Sequence, residues 1–256
     1  MHAKRITTET VMAQDGTTVF FDRYSSGHKE VIVIAHGFFN SKDSILLKDF
    51  AEELNHQFDC IIMDFRGHGQ TEGLFYWTTK EYLDLVAVLE KARGEYQKVG
   101  VIGFSLGAAT SIITAAKYKL MDSLVAVSAP VSFDEIEFHF WDLDVENDII
   151  YNVIGDGKVG KGVRPGPFWM AKEKPKAVVG NIKIPVYYIH GQQDWLIKPW
   201  HSQELFDRTK ALRKISIIAD GPHAEYLIRK NRQEFITLSK DWFMKTFEPG
   251  LSKDLT

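Results

Sequence analysis

Chemistry is written most plainly in this sequence at a serine set between glycines, Gly103-Phe104-Ser105-Leu106-Gly107. It follows the buried-strand pattern Lys98-Val99-Gly100-Val101-Ile102 and precedes a helix-forming run from Ala108 to Ala116. A G-x-S-x-G turn between strand and helix is a nucleophile elbow: the serine backbone is strained, and the flanking glycines remove collisions that bulkier neighbours would make. The helix that begins just after it also points free N–H groups and a positive dipole end at the serine. A serine hydroxyl keeps its proton at neutral pH. Ser105 as a nucleophile therefore needs a base, and the base needs an acid that fixes its tautomer. Late in the chain, Asp194 and His223 each follow an apolar strand pattern, in the order serine, acid, histidine that such an elbow requires. Asp134, just after the preceding strand, is the competing acid, and His68 is the competing base.

The tetrahedral intermediate of acyl transfer needs two N–H donors for its oxyanion, one from the residue after the nucleophile and one from an earlier strand-end loop. Leu106 is the first donor. The loop His36-Gly37-Phe38-Phe39-Asn40, after the apolar run Val31 to Ala35, supplies the second from Phe38 or from Phe39 one residue on. Asp64, Arg66 and His68 sit between glycines at another strand end and read as residues that fix a tight loop. His190 is expected to brace the loop of Asp194, while Asp220 and Glu225 are expected at the surface or capping a turn. No histidine–carboxylate group has metal-ligand spacing, so neither a metal nor a cofactor is expected.

Positioning three residues at three strand ends calls for a sheet. Residues 5–24 read as an antiparallel hairpin turning at Asp15-Gly16. Apolar runs at 31–35, 60–63, 98–102, 124–129, 185–189 and 214–218 alternate with helical patterns at 44–57, from Tyr82, from Ala108, at about 200–212 and at 231–246. Continuous apolar strands alternating with helices predict a mostly parallel central sheet flanked by helices. Thr78-Thr79-Lys80-Glu81 has capping-box spacing before the second helix. The rhythm breaks from 131 to 183, after the sixth strand, and so long a connection reads as a functional insertion. The expected organisation is a core of 1–130 and 184–256 with a cap at 131–183. Its aromatics Phe133, Phe138, Trp141 and Trp169, with Phe39 and Trp195, are expected to line the substrate site, and Phe140 and Phe168 also need burial.

Composition removes other function classes. With 45% hydrophobic and 25% charged residues and a formal net charge of −3, the 256 residues offer no basic surface for nucleic acid or anionic membrane. No run of about 18 apolar residues could span a bilayer. The opening residues lack the apolar stretch of a secretory signal. The single cysteine, Cys60, lies in a central-strand pattern and reads as a buried structural thiol. A cytoplasmic setting fits these features.

On His36-Gly37-Phe38, Asp64-Phe65-Arg66-Gly67-His68-Gly69, Gly103-Phe104-Ser105-Leu106-Gly107, His190-Gly191-Gln192-Gln193-Asp194 and Gly221-Pro222-His223, the chain resembles the α/β-hydrolase superfamily over nearly its whole length. The resemblance implies an α/β-hydrolase fold with Ser105 as nucleophile, Asp194 as acid, His223 as base and a cap after the sixth strand. It is nearest to serine carboxylesterases of the monoacylglycerol-lipase and cinnamoyl or feruloyl esterase kind. A serine at the elbow sets it apart from the aspartate of dehalogenases and epoxide hydrolases and the cysteine of dienelactone hydrolases. The expectation is hydrolysis of a small carboxylic ester with an apolar or aryl acyl group. Thioesters and amides are the alternatives on the same triad, and a non-catalytic receptor for a small ligand is the alternative from another class.

Overall fold

The computed structural model describes residues 5–137, 162–167 and 169–248. Eight strands form one sheet in the order β1-β2-β4-β3-β5-β6-β7-β8. They are β1 (Arg5–Met12), β2 (Thr18–Ser25), β3 (Glu30–Ala35), β4 (Asp59–Met63), β5 (Lys98–Phe104), β6 (Ser123–Val127), β7 (Val186–Gly191) and β8 (Arg213–Ile218). β2 runs antiparallel to β1 and β4, and every other neighbouring pair is parallel. This bears out the hairpin and the mostly parallel sheet.

The apolar runs are continuous because both faces are covered. Val31, Val33 and Ala35 of β3 enter one core layer, together with Leu85 and Leu89 of α2 (Glu81–Glu95) and Ile112 of α3 (Leu106–Lys117). Ile32 and Ile34 enter the opposite layer, with Leu47 and Phe50 of α1 (Ile45–Leu54) and Phe235 and Phe243 of α7 (Arg232–Phe247). Each such side chain removed from water stabilises the fold by roughly 1.5–3 kcal/mol. Between β6 and β7 the described residues form a 3₁₀ turn at Phe133–Glu135 and a short helix α4 (Pro175–Val178). Helix α5 (Trp200–Arg208) separates β7 from β8, and α6 (Tyr226–Lys230) leads into α7. No helix among the described residues is long and apolar enough to cross a membrane.

The predicted capping box does not form. Trp77 and Thr78 both take left-handed backbone conformations, at φ 57° and 75°, which an N-cap threonine cannot share. The Glu81 carboxyl instead accepts the Tyr76 N–H at 2.6 Å, and the Thr78 hydroxyl faces the carbonyls of Trp77 and Glu173. Burial pushes the Glu81 carboxyl up to about 7.

The loop after β4 is held by ions rather than used for chemistry. Arg66 donates to Asp84 of α2 through Nε and Nη2, the latter at 2.6 Å, and to Asp15 of the hairpin turn at 2.6 Å. Asp64 accepts the N–H groups of Lys42 and Gln70 at 2.7 and 2.8 Å, and burial pushes its carboxyl up to about 6. Because the Asp84 side chain has no exposed surface, removing its partner strands a buried charge. Arg66→Ala is expected to lower unfolding free energy by about 3–5 kcal/mol. Chemical denaturation checks this, and a loss below about 1 kcal/mol would show that the pair is not a structural anchor.

Candidate active site

The sheet brings the candidate residues to one end. β3 and β4 lie on one side of the point where strand order reverses, and β5 begins the other side. Crevices at such a switch point, beyond the strand C-termini, are where α/β sheets bind ligands. Ala35 pairs in register with Gly103, so the loop after β3 leaves the sheet beside the serine turn. Ser105 itself sits at φ 48° and ψ −107°, between β5 and α3. A side chain at Gly107 would be driven into the carbonyl oxygen of Ala35, and one at Gly103 would lie 2.7 Å from the Ala108 nitrogen. The glycines thus permit the start of α3 to pack closely against the end of β3.

The candidate acid and base follow the last two strands. Ser105 N–H donates to Val127 O at 2.8 Å, and the adjoining Ser128 hydroxyl accepts Ala224 N–H at 3.1 Å. This short relay joins the serine turn to the loop carrying His223. His223 Nδ1 lies 2.7 Å from Asp194 Oδ2, leaving Nε2 as the ring nitrogen that can serve a nucleophile. The second carboxyl oxygen of Asp194 accepts the N–H groups of Leu196 and Ile197 at 3.1 and 2.8 Å. Burial alone would push this carboxyl up, but the charges and hydrogen bonds of His223 and His190 hold it well below the usual carboxylate range.

The expected supporting role of His190 is present in the structure. Its Nε2 lies 2.7 Å from Ile197 O and 3.2 Å from Asp194 Oδ2, and its Nδ1 lies 2.6 Å from Ser202 Oγ. Asp134 pairs with Lys174 at 2.9 Å on the surface, which leaves Asp194 as the acid that meets a histidine. His68 is sealed among His36, Phe38 and Phe75, with Nδ1 3.1 Å from Arg66 O. Burial lowers it to about 4.

One sequence expectation is corrected. Asp220 is exposed and accepts from Asn231 at 2.7 Å, but Glu225 is buried rather than at the surface. Its Oε1 accepts Gly37 N–H at 2.6 Å and Asn40 Nδ2–H at 3.2 Å. Glutamate two residues after a histidine reads as solvated because its partners come from 188 residues away.

The loop after β3 is a tight turn. Asn40 N–H donates to Gly37 O at 3.2 Å, and Phe39 at φ 65° occupies a conformation costing a bulky residue about 1–3 kcal/mol. His36 bridges the turn to the neighbouring loop, with Nδ1 2.7 Å from Gly37 O and Nε2 accepting Phe65 N–H at 3.1 Å.

Of the expected substrate-lining aromatics, Phe138 and Trp141 lie outside the described residues, as do Phe140 and Phe168. Phe39 and Trp169 are exposed, whereas Phe133 and Trp195 are half-buried. The sequence reading passes over Phe75 and Trp77. Trp77 stacks on Phe38 at 5.7 Å between ring centroids and meets Phe75 at 4.9 Å and Phe133 at 6.3 Å. The signal was available: Leu74-Phe75-Tyr76-Trp77 is a run of large side chains in a loop, where solvation alone does not explain them.

Residues 30–149 match a family model described as the alpha/beta hydrolase fold. The chain is similar to the esterase Pf2001 of Pyrococcus furiosus, with a TM-score of 0.75 at 21% identity, covering 94% of this chain and 92% of that one. It is also similar to the uncharacterized protein YqkD of Bacillus subtilis, 25% identical over 233 residues, which are 82% of this chain and 72% of that protein. A shorter likeness, 31% over 121 residues, is to Ethanol acetyltransferase 1 of Cyberlindnera jadinii and spans 46% of this chain and 36% of that protein.

Proposed function

We propose, from the premise that this chain is an α/β hydrolase by fold, that it is a serine hydrolase of small carboxylic esters with apolar or aryl acyl groups. The observation that carries the reading is the 2.7 Å contact between His223 Nδ1 and a buried Asp194, at the sheet end that also holds a serine in a strained turn. In this reading Ser105 Oγ attacks the ester carbonyl carbon as its proton passes to His223 Nε2. Asp194 holds the imidazole tautomer and stabilises the imidazolium. The N–H groups of Leu106 and Phe38 bind the oxyanion. Collapse breaks the bond to the alcohol oxygen, which takes the proton from His223. Water then repeats the sequence on the acyl-enzyme, releasing the acid and restoring Ser105.

The cluster of Phe38, Trp77 and Phe133, backed by the fully buried Phe75, supports an apolar or aryl acyl group. Residues 131–183 are the proposed cap, and Phe133 is its contribution to that cluster. The polar ties from Thr78 and Thr79 to the carbonyls of Glu173 and Ala171 support its resting on the loop before α2. The likeness to an ethanol acetyltransferase favours one second reading, in which an alcohol rather than water takes the acyl group. Both share the acyl-enzyme.

The test is a fluorophosphonate probe with mass mapping, followed by a panel of aryl, alkyl and thioester substrates with and without ethanol. A single adduct on Ser105 and ester turnover that needs Ser105 support the proposal. No adduct and no Ser105-dependent turnover would sink it, and faster ester synthesis than hydrolysis in ethanol would move it to the transferase reading.

A further inference from the structure

We infer that Glu225 is a positioning residue for the oxyanion turn, coupling that turn to the loop of the base. The inference rests on the reading of Ser105 as nucleophile and of the 37–40 turn as an oxyanion donor. Glu225 stands two residues after His223 and one before α6. A single carboxyl oxygen, Oε1, takes a hydrogen bond from each end of the turn, Gly37 N–H at 2.6 Å and the Asn40 side-chain amide at 3.2 Å. The two residues between those anchors are Phe38 and Phe39, the latter in the left-handed conformation.

The remaining polar contacts of the turn leave this clamp as its tie to the far side of the site. His36 holds Gly37 O toward the loop after β4. The Asn40 N–H closes the turn on Gly37 O, and Asn40 Oδ1 accepts Ser41 N–H at 3.1 Å. These contacts keep the turn folded, whereas Glu225 sets where it lies relative to His223. The fit is close: a Cβ on Gly37 would lie 2.9 Å from Glu225 Oε1, so a larger residue at the first position would make the carboxyl shift.

A donor displaced by a fraction of an ångström still allows the substrate to bind but meets the developing oxyanion poorly. Such a loss falls on kcat and on kcat/KM equally, with KM unchanged. Glu225→Ala is expected to lower kcat for an oxygen ester by about 10- to 100-fold, the scale of a misplaced catalytic group. A merely structural loss would do the same, so the deciding readout is the matched thionoester, in which sulfur replaces the carbonyl oxygen. Sulfur is a weak hydrogen-bond acceptor, and its hydrolysis draws less on the donors. The thionoester rate is therefore expected to fall by less than about threefold, compressing the oxygen-to-sulfur rate ratio that the intact donors create.

Glu225→Gln keeps an oxygen where both donors arrive and is expected to recover most of the lost rate. Asn40→Ala removes one of the two anchors and is expected to show the same compression at smaller amplitude. It carries the comparison if Glu225→Ala does not fold. Parallel falls for both substrates in whichever variant folds, or an unchanged oxygen-ester kcat in Glu225→Ala, would overturn the inference. A wild-type protein with no Ser105-dependent turnover would instead overturn the reading of the site on which it rests.

Discussion

Ser105→Ala is expected to abolish ester turnover, with kcat falling by about 10⁵- to 10⁶-fold, because the nucleophile and its base act as one unit. A residual rate above that of buffer, by about 10³-fold, is expected from the oxyanion donors and binding alone. Three properties of the site support so large an effect. The serine is held at φ 48° between Gly103, which packs against Gly107 and Ala108, and Gly107, which packs against Ala35 and His36. Among the described residues near it, the Ser128 hydroxyl accepts Ala224 N–H and the Ser111 hydroxyl donates to Gly107 O within α3. Alanine removes one oxygen and leaves backbone and packing as they are, so the thermal midpoint should move by no more than a few degrees. Steady-state kinetics with active-site titration measures the effect. Turnover within a hundredfold of wild type would show that Ser105 is not the attacking group.

Asp194→Asn is the second large effect, expected at about 10⁴-fold in kcat with the fold retained. The amide can still accept the Leu196 and Ile197 N–H groups through its oxygen. What it presents to His223 Nδ1 is an N–H instead of an acceptor, which stabilises the tautomer with its proton on Nε2 and removes the base. Asp134→Asn is the control. That residue is half exposed and paired with Lys174, and its loss should leave kcat within about twofold, the usual scale of a surface change. An Asp194→Asn protein within tenfold of wild type would reassign the acid.

The acid limb of the pH profile follows from the same residue. The Asp194 carboxyl is held below its ordinary value of 3.8, so it stays ionised as pH falls through the neutral and mildly acidic range. A depressed carboxyl contributes stability that is present above the unfolded value and lost only as pH falls through the folded one. Activity lost as pH falls through the mildly acidic range should therefore come while Asp194 keeps its charge, with the fold intact. Circular dichroism recorded alongside the rates separates the two. Unfolding coincident with the activity loss would assign the limb to stability.

Much of this molecule is legible in residue order because the relevant physics is local or periodic. Continuous apolar runs of the kind at 31–35 and 60–63 can be satisfied only by a sheet covered on both faces, and the two core layers divide alternate residues of β3 as that requires. The elbow is visible because a strained serine turn needs glycine at fixed offsets. Asp194 and His223 are visible because each arrives just after a late strand. The capping box was misread because its spacing is necessary and not sufficient: Trp77 and Thr78 take a left-handed backbone, and the Thr78 hydroxyl turns to the carbonyls of Trp77 and Glu173 instead of the helix start.

Tertiary structure alone decided the rest. Nothing near Glu225 in sequence foretells that its carboxyl is buried against Gly37 and Asn40, since the partners meet only when the C-terminal ends of β3 and β8 are brought to the same end of the sheet. The stacking of Phe38 on Trp77, and the choice of Asp194 over Asp134 as the partner of His223, depend likewise on which loops the strand order brings together. Spacing along the chain names the candidate groups. Their partners are chosen by closure of the sheet, because hydrogen bonds and ring contacts reach only a few ångströms while the residues that make them stand scores of positions apart.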